Sequence, residues 1–278
     1  TPEKIGGWQK LSASSFLGTC RALQPFVGLD GSNYIGVGTH LKYYIEEGGG
    51  YNDITPIRAT TDAGDVTFAA TNGSSTVVVA DSGHGAIQND FVTFSGAASL
   101  GGTITANVLN QEYQIADIIN GNSYSIVARA VASVTEITIN GQYTPTAIAA
   151  NGSDSGSGGG SIVGTYQVNT GLDTAVLGNG WGAGTWARGT WGSGTDLSAP
   201  GDSLRIWSHD NFGEDLIFNA RNGGIFYWDK STNATNMLRG VAISDLSGAD
   251  ATTPTIAKQV MISDRDRHVI VFGCDPQD

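Results

Sequence analysis

The sequence predicts an all-β protein, a partial β-propeller body carrying an inserted small β-sandwich. Three observations carry this reading. Short runs rich in Val, Ile, Thr, Tyr and Phe recur along the chain, each bounded by Gly, Asn or Asp. Glycine supplies 40 of 278 residues, about twice the usual share, and no convincing amphipathic helix is present, residues 256–261 making at most one turn. Finally, residues 59–187 hold one basic residue, Arg129, against nine acidic ones, a composition unlike that of their flanks.

The elements follow in order. Leu29-Asp30-Gly31-Ser32-Asn33 is a hairpin turn between a run ending at Val27 and a run over 34–37, because the Asp-Gly pair supplies the positive φ angles such a turn needs. Residues 41–45 form the next strand, Gly48-Gly49-Gly50 breaks it, and 51–58 reads as a further strand. In the middle segment, strands are expected at 76–80, 91–94, 112–119, 123–127 and 136–139, with Asn120-Gly121 and Asn140-Gly141 as hairpin turns. Short strands at this spacing suggest a small sandwich. Residues 151–161 read as a flexible, nearly featureless Gly/Ser linker. After Pro200, strands return at 203–208, 215–219, 225–228, 259–263 and 268–272, with Asn222-Gly223-Gly224 turning the second of these into the third.

The resulting division is 1–61 as propeller-like blade or blades, 62–165 as the inserted sandwich, 166–199 as a Gly/Trp-rich loop and 200–278 as further propeller-like strands. Units of four short antiparallel strands in 40–50 residues are the mark of propeller blades. Two units and the start of a third cannot close a ring, so either the chain is part of a longer protein or partner segments complete it.

Residues 178–194 read GNGWGAGTWARGTWGSG, placing Trp181, Trp186 and Trp191 at every fifth position, a period of neither helix nor strand. Two readings stand: an aromatic platform that stacks sugars or bases, or an ordered loop whose indoles plug apolar gaps while the glycines let the backbone turn.

The net charge of −12 opposes wrapping nucleic acid in a basic groove. It divides into 0 over 1–58, −8 over 59–187 and −4 over 188–278. No apolar run is long enough for a membrane helix, and no signal peptide is visible at TPEKIGGW. Cys20 and Cys274 read as two buried free thiols, with a long-range disulfide as the alternative. His40, His84, His209 and His268 are scattered without zinc spacing, so no metal or other cofactor is expected. Gly-Lys never occurs, which excludes a Walker loop. Ser208-His209-Asp210 holds the residue types of a catalytic triad but reads as a polar turn between strands, since triads are assembled in space. The carboxylates at Glu46-Glu47 and Asp264-Arg265-Asp266 read as solvated turn charges, not an opposed glycosidase pair. No enzyme is expected.

Pro2-Glu3-Lys4-Ile5-Gly6-Gly7-Trp8, then Gly38-Thr39-His40-Leu41-Lys42-Tyr43-Tyr44 and Asp53-Ile54-Thr55-Pro56, resemble a family of bacteriophage tail proteins, as do the Gly/Trp tract and Ile206-Trp207-Ser208-His209-Asp210-Asn211-Phe212-Gly213-Glu214. The resemblance covers about 1–58 and 178–278 and rests on order and spacing. Asp90-Phe91-Val92-Thr93-Phe94-Ser95-Gly96 and Glu112-Tyr113-Gln114-Ile115 look like a small β-module that recurs in phage virion proteins. Within the family the chain is most similar to the nozzle proteins at the tail tip of short-tailed phages. That resemblance implies a structural virion protein made in the host bacterial cytoplasm. It implies copies arranged in a ring, as a hexamer, around the DNA exit channel. It also implies contacts with adaptor and fibre proteins, no membrane span, and DNA that passes without sequence-specific binding. It further implies that the chain is a fragment. The three-Trp tract motivates an alternative, a receptor- or carbohydrate-binding tail fibre or adhesin. A DNA channel should not grip its cargo, so a neutral to mildly acidic lumen is expected, not one ringed by Arg205, Arg221 and Arg239.

Overall fold

A computed structural model of the chain describes residues 14–131, 146–168, 206–232, 238–263 and 265–274. The strand expected at 136–139, the Asn140-Gly141 turn, the opening motif and the Trp tract lie outside the described residues. The architecture is all-β, with several antiparallel sheets and, among the described residues, one α-helix of four residues.

The first sheet is an antiparallel meander of β1 (Cys20–Val27), β2 (Asn33–Thr39), β3 (Tyr43–Glu47) and β4 (Gly50–Asp53). The β1–β2 turn needs Gly31 at φ 83° and the β3–β4 turn needs Gly48 at φ 58° and Gly49 at φ 91°, conformations that cost a side-chain-bearing residue dearly. The single strand expected at 51–58 is two. β4 stops at Asp53, and Ile54-Thr55-Pro56 leads to β5 (Ile57–Thr60), which joins another sheet. The break has a local cause. The Tyr43 amide is taken by the Thr55 hydroxyl at 2.9 Å, and Pro56 has no N–H with which to extend a ladder.

β5 opens a two-sheet sandwich with β6 (Thr67–Ala70), β7 (Thr76–Ala80), β8 (Phe91–Ser95), α1 (Ala106–Leu109), β9 (Glu112–Gln114), β10 (Asp117–Asn120), β11 (Ser123–Val127) and β12 (Val163–Gln167). One sheet has the order β10-β11-β7-β6 and the other β5-β12-β8-β9. Their inner faces meet over Phe68, Val77, Val79, Phe94, Tyr113, Tyr124 and Ile126, closed at one end by Ile104 and Leu109. The strand expected over 112–119 is broken at Ile115, which turns fully into this core while its amide and carbonyl bond Asp90 and Asn89. β6 and β12 were not legible as strands. β12 pairs with β5 and β8, so the strands by which the chain enters and leaves the sandwich lie side by side.

Residues 151–161 are not the flexible linker their composition suggests. The Asp154 carboxylate, 5% exposed, accepts from the amides of Asn151, Gly102, Thr103 and Ile104 and from the Thr103 hydroxyl, all at 2.8–3.0 Å. Gly156 and Ser157 continue the fastening through Leu100 and Phe68. Buried polar backbone demands partners, and one carboxylate supplies them.

The chain then forms a second meander, β13 (Trp207–Phe212), β14 (Asp215–Ala220), β15 (Ile225–Trp228) and β16 (Val241–Ala242), followed by the hairpin of β17 (Gln259–Ser263) and β18 (His268–Phe272). Successive residues of β14 point to opposite faces. Leu216 and Phe218 pack toward the first meander with Phe26, Tyr34, Tyr43 and Ile45, while Ile217 packs toward the hairpin with Val260 and Ile262. The second meander is therefore covered on both sides, giving a stack of three sheets. Among the described residues no ring closes. The cysteine expectation needs correction in one respect: both thiols are free, but Cys274 is exposed and Cys20 half-buried, because neither side chain is placed in a core.

Candidate functional site

The site with the most chemistry is the seam where the first meander, the second meander and the sandwich meet. Gly38 on β2 faces Trp207 on β13 so closely that a Cβ there would stand 2.5 Å from Trp207 Cδ1. The indole N–H donates to the Thr39 carbonyl at 2.7 Å. Tyr43, fully buried, stacks on Phe218 at 4.4 Å and meets Trp207 edge-on at 4.9 Å. Aromatic pairs at these distances add to the stabilisation from burial alone.

Ser208-His209-Asp210 lies within β13, not in the turn expected from the sequence. The strand's two-residue period separates the three side chains. His209 points into the seam, its Nδ1 2.5 Å from the Tyr43 hydroxyl. Ser208 Oγ and Asp210 Oδ2 point the other way and accept the amides of Val260 and Ile262 at 3.0 and 2.9 Å. They hold β17 where a strand pair would otherwise be needed. Burial drives the His209 imidazole down to about 4, against smaller upward pulls from the Leu23 backbone and Asp210. The neutral ring accepts the tyrosine O–H, and burial keeps that hydroxyl protonated far above its ordinary range.

Beside the seam sits a partly buried ionic junction centred on a buried lysine. Lys42, 3% exposed, reaches Asp53 Oδ2 at 2.7 Å and Glu112 Oε1 at 2.6 Å, with its ammonium 4.4 Å from the centre of the Phe91 ring. Arg239 reaches the same carboxylates at 3.3 and 3.8 Å and donates to the Thr55 carbonyl at 2.7 Å. Gln167 donates to Glu112 Oε2 at 2.7 Å. Burial raises the Asp53 carboxyl, but Lys42 and Arg239 outweigh it, and the net displacement is downward. Asp53 and Lys42 belong to the first meander, Glu112 and Gln167 to the sandwich, and Arg239 to the approach to β16. The cluster thus clamps the sandwich to the stack where the chain crosses between them.

Asp53 and Glu112 were visible in the sequence only as parts of quoted motifs. Gln167 and Arg239 carried no signal, since nothing local marks a partner so far along the chain. Arg239 serves the junction. Glu46 accepts the Gly49 amide at 2.7 Å, closing its own turn. Trp181, Trp186 and Trp191 lie outside the described residues, as does Arg205. His40, His84 and His268 sit apart from His209: His40 Nδ1 accepts from Thr19, His84 bonds Asn120, and His268 begins the exposed strand β18. Among the described residues no group of three or more His, Cys, Asp or Glu is placed to hold a metal, and no helix is long and apolar enough to cross a membrane.

No protein-family model matches the chain, and no curated protein matches it. Among solved structures, phage phi92 endosialidase superposes over 88% of this chain and 32% of its own length, at 13% identity and a TM-score of 0.24. The chain therefore spans about a third of the length of that protein. A TM-score of this size does not amount to a shared fold.

Proposed function

We propose that the chain is a structural component of a bacteriophage tail, part of a nozzle subunit that assembles with copies of itself around the DNA exit channel. In this reading the two meanders and the β17–β18 hairpin are consecutive blades of a partial β-propeller, and the acidic sandwich is an inserted module facing outward. One observation supports it above others: the residues that carry the family resemblance are those that build the seam. Gly38, Thr39, Lys42 and Tyr43 of one motif meet Trp207 and His209 of another, and Asp53 and Thr55 of a third bind Lys42 and Arg239. A motif whose polar atoms are occupied in holding sheets together serves architecture. The test is localisation. Antibodies raised against the chain should decorate the tail tip of the phage that encodes it. Binding of the isolated chain to a glycan array, with no label at the tail tip, would favour the adhesin alternative instead.

A further inference from the structure

Four of the chain's six Asn-Gly pairs lie among the described residues, at 72–73, 120–121, 151–152 and 222–223. An Asn carboxamide can be attacked by the amide nitrogen of the next residue, and glycine offers no Cβ to obstruct the ring that forms. The attacking nitrogen must first lose its proton, so an amide engaged in a hydrogen bond is protected. The fold engages two of the four. Gly73 donates to the Ala150 carbonyl at 2.8 Å, and Gly223 donates to the Ala220 carbonyl at 2.7 Å. Asn151 sits in the loop tied by Asp154. Its own amide donates to that carboxylate at 2.8 Å, and a Cβ added at Gly102 would meet Asn151 Oδ1 and Asp154 Cγ together, at 2.1 and 2.8 Å. An anion forming at Gly152 would therefore face the charge of a carboxylate.

Asn120-Gly121 differs from all three. Both residues are exposed at the β10–β11 turn, the Gly121 amide has no acceptor among the described residues, and nothing lies within 4 Å of a Cβ placed on Gly121. Asn120 Oδ1 accepts the Asn122 amide at 2.8 Å, which folds the carboxamide back along its own turn and polarises it. The decisive neighbour is His84, which is buried. Its Nδ1 accepts the Ala86 amide at 3.0 Å, so the neutral ring carries its proton on Nε2, and Nε2 donates to the Asn120 carbonyl at 3.0 Å. That carbonyl belongs to the peptide bond whose nitrogen is Gly121. Charge drawn to the oxygen makes the Gly121 N–H more acidic. We propose that Asn120 is a site of self-modification by deamidation, activated by His84. Gly121 N loses its proton to hydroxide and bonds to Asn120 Cγ. The Cγ–Nδ2 bond breaks, and Nδ2 takes a proton from water and leaves as ammonia. A second water opens the imide to aspartate or isoaspartate. The turn gains one negative charge, and isoaspartate also lengthens the main chain where His84 grips it. The site is independent of the tail reading, since it needs only the sandwich.

Peptide mapping of the full chain by mass spectrometry, during incubation in neutral buffer, tests it. Asn120 should convert about fivefold or more faster than Asn72 and Asn222, the factor that one amide hydrogen bond supplies, and faster than Asn151. In urea the four rates should converge, because the sequence Asn-Gly is common to all. His84→Phe keeps a ring against Tyr124 but has no N–H to donate. It should slow Asn120 by about fivefold and leave the other three sites unchanged. A variant that loosened the fold would instead speed Asn72 and Asn222, and the wild-type order in buffer against urea then decides alone. The proposal is overturned if any of the other three converts as fast as Asn120, if the order persists in urea, or if Asn120 is indifferent to His84→Phe in a folded chain.

Discussion

Lys42 and Glu112 stand 70 residues apart in the chain and 2.6 Å apart in the fold. Their bond ties the turn before β3 to the first residue of β9, one in the first meander and the other in the sandwich. A buried ion pair need not be worth more than apolar residues of the same shape, but losing one partner strands the other. Lys42→Ala leaves Asp53 and Glu112 facing each other with Arg239 as their remaining cation. It should lower stability by about 3 kcal/mol or more. Glu112→Gln, which retains an acceptor for Lys42, should cost less. Urea unfolding of the three proteins measures both, and equal stabilities would show the junction to be inert.

The seam between the meanders depends on Gly38 having no side chain. Its virtual Cβ meets not the mobile end of a chain but Trp207 Cδ1, Cγ and Cβ, at 2.5, 2.7 and 3.0 Å. Trp207 is itself pinned by its bond to Thr39 and by packing on Tyr43 and Phe218. Gly38→Ala should therefore destabilise by about 1–3 kcal/mol, the usual cost of overpacking. Gly121→Ala, where nothing lies within 4 Å of the added carbon, should be close to neutral. A thermal melt in which the two variants behave alike would contradict this account of the seam.

Asp154 is the principal side-chain fastening of the loop 151–161, beside the backbone bonds of Gly156, Ser157 and Gly158. Replacing it by Ala leaves four amides without their acceptor, while the Thr103 hydroxyl keeps the Ala149 carbonyl at 2.7 Å. Each buried donor left unpaired costs about 1–3 kcal/mol unless water reaches it. Asp154→Asn, with one oxygen instead of two, should be intermediate. Limited proteolysis reads the result: Asp154→Ala should be nicked within 151–161 while the wild-type loop resists. Equal resistance would mean that the remaining backbone bonds suffice.

What the sequence revealed and what it hid divide by range. Thr76–Ala80 and Ser123–Val127 were legible because strand composition and the Asn120-Gly121 turn are local signals. The alternation of turns and short antiparallel strands was likewise local, but how the sheets are arranged is not a local property. The break at Ile115 and the extra strand β12 depend on what packs against them. Asp154 was hidden in plain composition, for NGSDSGSGGG has the same residues whether it dangles or is tied down. The Ser208-His209-Asp210 roles follow from strand alternation, and only the assumption of a turn concealed them. Tyr43 and His209, 166 positions apart, share no signal in the chain.

Charge gives the proposed channel role a direct consequence. The chain is at −12, and among its basic groups Lys42 and Arg239 are already held by carboxylates, as is Lys230 by Asp30 and Glu214. A wall of this kind should let DNA slide, since each phosphate–cation contact formed raises affinity and salt dependence. The isolated chain should fail to shift duplex DNA in a gel at physiological salt. Tight binding that weakens steeply with added salt would count against the nozzle reading.

His209 should make stability depend on pH in a window of its own. Its imidazole is held down to about 4 in the fold, chiefly by burial, against an ordinary value of 6.5. Between those values the unfolded chain takes up a proton that the folded chain refuses, so stability falls as pH drops. The contribution is fully present above pH 6.5 and is lost progressively toward pH 4; the whole gap corresponds to about 3 kcal/mol. Asp53 acts with the same sign but lower down. Its folded value is depressed below the ordinary 3.8, so its contribution persists through this window and is lost only beneath it. The two are therefore separable. His209→Gln offers Tyr43 an acceptor and cannot titrate, so its urea midpoint should be nearly flat between pH 6.5 and 4 where the wild type declines. Parallel curves for the two proteins would mean that the proton is taken up elsewhere and that the Tyr43–His209 bond survives protonation.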